Sequence, residues 1–189
     1  MKKLSIFFAL ILGACSLGGY SKNSTFYMMN SENLPAVSTR KLTVGVSKVK
    51  VPDVLNKPQI VVYDKDSQEI EIMEFERWGE PLPYVLQNTV TNDLQQYLPA
   101  SFVKSVEYSS EALDYTVRIK INKIEAYKND KVILSAWWNI ENPHGKVLKR
   151  DQGVYETKVN GEEIADLVKA QNRAVHDLSR DIAQNLQKI

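Results

Sequence analysis

The chain has 189 residues, with 24 basic and 23 acidic side chains, two histidines and one cysteine, for a formal charge of +1. A balance this close to neutral sets up no global field to gather nucleic acid or anionic lipid. One thiol can form no internal disulfide, and the length suits a single domain that buries its own core.

The chain opens with Met1-Lys2-Lys3, an uninterrupted apolar run from Ile6 to Leu12, the small residues Gly13-Ala14, and then Cys15, the sole cysteine. A basic start, a short apolar run and small residues are the parts of a signal peptide. The run is too short for a hydrocarbon core that needs about 20 residues. Leu12-Gly13-Ala14-Cys15 resembles the lipobox of bacterial lipoproteins. That resemblance implies a diacylglycerol on the Cys15 sulfur and a palmitoyl group on its amino terminus after cleavage. The alternative is a plain secretory signal with an incidental cysteine. Three acyl chains would hold the protein almost permanently, where one myristoyl chain gives marginal, reversible binding. Residues 1–14 are therefore expected to be a signal peptide and 15–25 a lipidated flexible linker, polar and containing Gly18-Gly19. Ser16 stands where, in the sorting rule that accompanies the lipobox, aspartate would favour the inner membrane; serine is compatible with the outer membrane. Loss of Lys2 and Lys3 leaves 22 basic against 23 acidic groups, a net charge of −1.

Residues 26–189 are expected to form one folded body. Phe26 to Met29 reads as a short strand. Leu42, Val44, Val46, Val49 and Val51 predict another, with a bulge at Ser47-Lys48 and an end at Pro52. Gln59–Tyr63 and Gln68–Phe75 flank a polar turn and read as a hairpin. In its second arm, Ile70 and Ile72 alternate with Glu69 and Glu71, and less regularly Glu74, which predicts an apolar and an acidic face. These carboxylates could suggest acid–base pairs or calcium ligands, but strand alternation accounts for them. Pro81 or Pro83 opens the first helix, where a missing N–H costs nothing. Leu82, Leu86, Val90, Leu94 and Leu98 give it an apolar stripe. Its other face carries Gln87, Asn88, Thr91, Asn92, Gln95 and Gln96 with Asp93 as the only charge, an amide-rich surface that a protein partner could cover.

Three further strands follow a short one at Val103–Tyr108. Tyr115, Val117, Ile119 and Ile121 alternate with polar residues before the phase shifts to Ile124 and Ala126, implying a bulge or an end. Val132, Leu134, Ala136, Trp138 and Ile140 share a core face, with Ile133 and Trp137 opposite, and Val147–Thr157 returns with a more polar, edge-like pattern. A long apolar stripe from Ile164 to Ile189 predicts a final helix that covers the sheet. The order strands–helix–strands–helix predicts a single-domain α+β fold, a mostly antiparallel or mixed sheet with two helices packed on one face.

Little here points to catalysis. His144 lies in a turn, and His176 is followed by Asp177, which as a helical neighbour faces elsewhere. No serine sits in a G-x-S-x-G setting, no spacing suits zinc or calcium, and no glycine-rich phosphate loop is present. Arg118, Lys120 and Lys123 with Tyr115 and Tyr127 could suggest nucleic-acid binding, but a solvated strand face explains them better. The chain reads as non-catalytic, with no metal or cofactor site and no nucleic-acid partner.

Several segments together resemble the ABC-type transport auxiliary lipoprotein family. They are the lipobox, Phe26-Tyr27-Met28-Met29, the stretch Val51-Pro52-Asp53-Val54-Leu55-Asn56-Lys57-Pro58, and above all Arg77-Trp78-Gly79-Glu80-Pro81-Leu82 ahead of the first helix. Lys131 to Trp138, Gly145-Lys146-Val147 and the long last helix follow in the family's order. Val54 and Lys57 depart from it, where an aromatic residue and arginine are usual. The resemblance implies an outer-membrane lipoprotein facing the periplasm, held by its covalent lipid. It would serve an intermembrane transport system for lipid or other hydrophobic molecules, beside ABC transport proteins or proteins with mammalian-cell-entry domains, docking or stabilising a periplasmic conduit. A homo-oligomeric ring would suit such a conduit. Arg77, Trp78, Pro81 and Leu82 are the candidate contact or motif residues, Arg77 for a partner and Trp78 for packing. Two other classes remain open at this point: a lipid carrier with its own acyl cavity, lined by Ile133 and Trp137, and an inhibitor or structural lipoprotein of the envelope.

Overall fold

The computed structural model describes residues 22–67, 69–107 and 112–189; Leu12, Gly13, Ala14 and Cys15 lie outside them. Among the described residues there are ten elements: β1 (Thr25–Tyr27), β2 (Thr43–Ser47), β3 (Gln59–Tyr63), β4 (Ile70–Trp78), α1 (Leu82–Tyr97), β5 (Phe102–Val106), β6 (Tyr115–Ala126), β7 (Lys131–Glu141), β8 (Val147–Lys158) and α2 (Ile164–Leu186). The expected α+β architecture is present, but its strands divide into two mixed sheets. One is five-stranded in the order β5-β2-β6-β7-β8, and the other three-stranded in the order β1-β4-β3.

The larger sheet follows from strict alternation. In β7, Val132, Leu134, Ala136, Trp138 and Ile140 are all essentially inaccessible, while the residues between them are partly or fully exposed. Their partners across the ladder, Ile119 and Ile121 on β6 and Tyr155 on β8, share that face. The apolar phase of β6 changes because the register shifts between Ile121 and Lys123, a bulge that returns Ile124 and Ala126 to the core. Asn129 (φ 50°) and Gly145 (φ 76°) take the left-handed corners of the two hairpin turns. β2 pairs in parallel with both β5 and β6, and Lys50 extends it by a single bridge to Lys120.

Both helices lie on the same face of this sheet. α2 runs over β6, β7 and β8, and α1 over β2 and β5, with the two helices against each other. Pro81 caps α1 at φ −53° and ψ 130°, a proline also falls in its first turn, and the Pro81 carbonyl accepts the Tyr84 N–H. A strap from Asn30 to Ser38 crosses the helix layer: Asn172 Nδ2 donates to the Asn30 carbonyl, the Leu34 N–H to Gln96 Oε1, and the Val37 and Ser38 N–H groups to the Tyr97 carbonyl.

Two expectations about faces fail. The polar side of α1 is not an exposed amide surface, because only Asn88 and Asn92 are exposed along the helix. Gln87 is buried and donates from Nε2 to the carbonyls of Val46 (2.8 Å) and Val106 (3.2 Å), while Gln95 bonds Ser101 and Val103. These amides satisfy backbone groups of neighbouring strands, which apolar side chains could not do. In β4 the isoleucines are not buried: Ile70 and Ile72 stay 42% and 43% exposed, since none of the described residues covers the small sheet at that end. No described helix is long and apolar enough to cross a membrane.

Candidate functional site

The segment Arg77–Leu82 joins the small sheet to α1. Trp78 ends β4 and pairs with Tyr27 of β1. Its N–H donates to the Pro58 carbonyl at 2.8 Å, and the Gly79 N–H donates to the Tyr27 carbonyl at 2.8 Å. The indole is 5% exposed, and beside it Leu55, Val61, Leu82 and Ile124 leave a gap of only about 10 Å³. A Cβ at Gly79 would lie 2.9 Å from Met28 Sδ, so Met28 packs closely over this turn. Leu82 is buried, whereas Pro81 is exposed. Arg77 is tied down locally: Nε donates to the Glu74 carbonyl and Nη2 to Glu74 Oε1, both at 2.9 Å. This clasp spans the irregularity at which pairing jumps from Gln59–Arg77 to Ile60–Met73. The guanidinium side chain keeps 30% of its surface in solvent. Close by, the Tyr27 hydroxyl donates to Glu76 Oε2 at 2.8 Å; burial and that carboxylate push the phenol up to about 12. Phe26 (65% exposed) and Met28 (43%) project from the same N-terminal strand region.

A second constellation lies between the helices. Asp93 of α1 is fully buried. Its Oδ2 accepts from His176 Nδ1 (2.8 Å) and Ser179 Oγ (2.9 Å) of α2, and its Oδ1 from Ser31 Oγ of the strap (2.7 Å). An acceptor-only carboxylate places the imidazole proton on Nδ1. Serine, histidine and aspartate meet here, but not as a nucleophilic triad. Ser179 Oγ shares its one proton between Asp93 and the Val175 carbonyl, at 2.9 Å from each, and makes no bond to the imidazole. His176 Nε2 is buried with no hydrogen-bond partner among the described residues. The cluster pins α1, α2 and the strap together. Around the helix layer, burial and Asp93 raise the Tyr97 phenol above its ordinary value, and burial and a hydrogen bond to Asp181 do the same for Tyr155. His144 is at a hairpin tip, where its N–H donates to Asn142 Oδ1.

The basic cluster seen in β6 is rearranged by the fold. Lys123 bonds Glu125 at 2.8 Å, and Tyr127 packs on Tyr63 with ring centroids 6.0 Å apart, so both leave it. Arg118 and Lys120 instead share the helix-free face of the large sheet with Asn139 and Trp137 on β7 and Arg150 on β8. Lys48 and Lys50, just beyond β2, close one side of a groove of about 440 Å³. Trp137 is 44% exposed in it. Ile133 lies half-buried on the same open face, so these two residues do not enclose an acyl cavity. Among the described residues no group of three or more His, Cys, Asp or Glu side chains is arranged to hold a metal ion.

The fold and these sites describe an α+β body of two mixed sheets, with one ionisable cluster shut inside and a group of basic side chains on the helix-free face of the larger sheet. The chain belongs to the family of ABC-type transport auxiliary lipoprotein components, whose model matches residues 27–183. It is similar in fold to a crystal structure of an uncharacterised protein, with a TM-score of 0.71 and 20% identity over 87% of this chain and 99% of that one. A protein of Xanthomonas campestris gives a TM-score of 0.72 at 13% identity, over 87% of this chain and 95% of the other. No curated protein matches the chain significantly.

Proposed function

We propose that the chain is a non-catalytic, lipid-anchored subunit of a system that carries lipid or another hydrophobic molecule between two membranes. Acylated Cys15 holds it on the periplasmic face of the outer membrane, residues 16–24, ahead of β1, serve as the tether, and the folded body docks on or stabilises a periplasmic conduit of the ABC or mammalian-cell-entry type. The carrying observation is the family match over residues 27–183. The internal use of Ser179, His176 and Asp93 supports a role in binding over one in turnover. Within the motif, Trp78, Pro81 and Leu82 set the junction between sheet and helix, and Arg77 is the partner contact.

Crosslinking in intact cells, with the captured proteins identified by mass spectrometry, tests this. The expected catch is a membrane-embedded transport protein. Arg77→Ala should cut that capture several-fold. It should cost about 1 kcal/mol of stability or less, because the ion pair it breaks is open to solvent on the Glu74 side. A catch consisting of a cell-wall hydrolase or peptidoglycan would overturn the reading. Equal losses of capture and stability would remove Arg77 from the contact.

A further inference from the structure

We infer that the helix-free face of the five-stranded sheet holds a binding site for the phosphate headgroup of an anionic glycerophospholipid, built from Lys48, Lys50, Arg118, Lys120, Arg150 and Trp137. Four observations carry it.

The first is charge without compensation. The described body is close to neutral overall, yet five cations from β2's extension, β6 and β8 converge on one groove. Arg118 is balanced by Glu141 at 2.8 Å. Lys50 and Lys120 have no ion pair or side-chain hydrogen bond among the described residues. They nevertheless occupy directly opposed positions, with the Lys50 N–H donating to the Ile119 carbonyl and its carbonyl accepting the Ile121 N–H. Like charges placed opposite one another in a sheet are destabilising, and a bound anion removes that cost.

The second observation is that a cation at the centre of this face is held in place. Arg150 Nε donates to Asn139 Oδ1 at 3.1 Å, whereas Lys48 lines only the edge of the groove, its Nζ turned to the Tyr84 hydroxyl of α1. Arg150 still has free N–H groups for phosphate oxygens, in a planar fork suited to them.

The third is the tryptophan. Trp138 is buried, while Trp137 stands in the open beside Lys120, its direct partner across the ladder. An indole at the edge of a cationic groove suits a ligand that is charged at one end and apolar at the other. The fourth is size: about 440 Å³ is in the range of small-ligand sites and is enough for a headgroup. The choice of a lipid among phosphate esters rests on the transport reading above; the anion site itself rests on the groove.

The test uses the full chain, purified in a neutral maltoside detergent, and follows tryptophan fluorescence. Dihexanoyl phosphatidylglycerol should give a saturable shift, and Trp137→Phe should abolish the signal. The Lys50→Gln/Lys120→Gln double variant should bind at least tenfold more weakly while its melting temperature holds or rises, an outcome that a merely structural role for the lysines would reverse. Dihexanoyl phosphatidylcholine, glycerol 3-phosphate and inorganic phosphate should each bind at least tenfold more weakly than the phosphatidylglycerol. An equal response to phosphatidylcholine would overturn the charge recognition. Equal binding of glycerol 3-phosphate or inorganic phosphate would overturn the lipid assignment. Stronger competition by a poly-glutamate peptide would make the groove a protein contact and also overturn it. Any of these failures leaves the transport reading to be judged by crosslinking in cells, which this assay does not touch.

Discussion

Replacing Asp93 with alanine is expected to destabilise the folded body by about 3–5 kcal/mol, the range for removing one partner from a buried, hydrogen-bonded pair of ionisable groups. Its carboxylate is wholly buried and accepts from Ser31, His176 and Ser179. Alanine leaves His176 Nδ1 without an acceptor in a space closed by two helices, while Ser179 keeps the Val175 carbonyl and Ser31 is only part-buried; a buried unsatisfied donor costs about 1–3 kcal/mol. Asp93→Asn, which keeps the shape and one acceptor oxygen, should lose less. Ser31→Ala, which removes one part-buried bond, should lose about 1 kcal/mol. Urea denaturation midpoints at constant m-value check the series. A loss under about 1 kcal/mol for Asp93→Ala would mean that the helix interface is held by apolar packing alone.

Trp78→Ala is the second large effect, with an expected loss of about 3–5 kcal/mol from the deleted indole and the cavity it leaves. The side chain is 5% exposed and the existing gap beside it is about 10 Å³, so the site has little free space into which to collapse. The damage should reach beyond that cavity, because Trp78 closes β4, receives β1 and precedes the Pro81–Leu82 start of α1. Trp78→Phe should recover more than half of the loss. Denaturant unfolding measures both; a change below about 1.5 kcal/mol for the alanine variant would place Trp78 at a surface and make it a contact residue.

Local order was largely legible in the sequence. Alternation located β6, β7 and β8, the apolar phase change after Ile121 announced the bulge, and the prolines at 81 and 83 marked the start of α1. These signals work because side-chain period and backbone geometry are fixed within a single element. What depended on distant pairing was not legible. The parallel contacts of β2 with β5 and β6 join segments up to about 70 residues apart, and no short pattern encodes them. The division into two sheets follows from those contacts.

The same limit governs the sites. Gln87 and Asp93 looked like solvent residues of an amide-rich helix, because the sequence does not reveal which carbonyls or hydroxyls will cover a polar side chain. Their partners, Val46, Val106, Ser31 and His176, lie 19 to 83 positions away. His176 beside Asp177 was a false neighbour, and Asp93 was the true one. Arg118 and Lys120 were visible as basic residues of a strand, but Lys50 joins them only through the bridge that ends β2. A strand-edge lysine next to Val49 and Val51 was the available signal. The Arg77–Leu82 segment stood out through its resemblance to the family; the clasp of Arg77 on Glu74 was not legible.

The anchor on which the proposed role depends is tested most directly by growing cells on an alkyne-bearing palmitate and following label on the mature chain. Labelled protein in the outer-membrane fraction, with the label lost on Cys15→Ser, is the predicted result. An unlabelled chain, or label that survives Cys15→Ser, would contradict it.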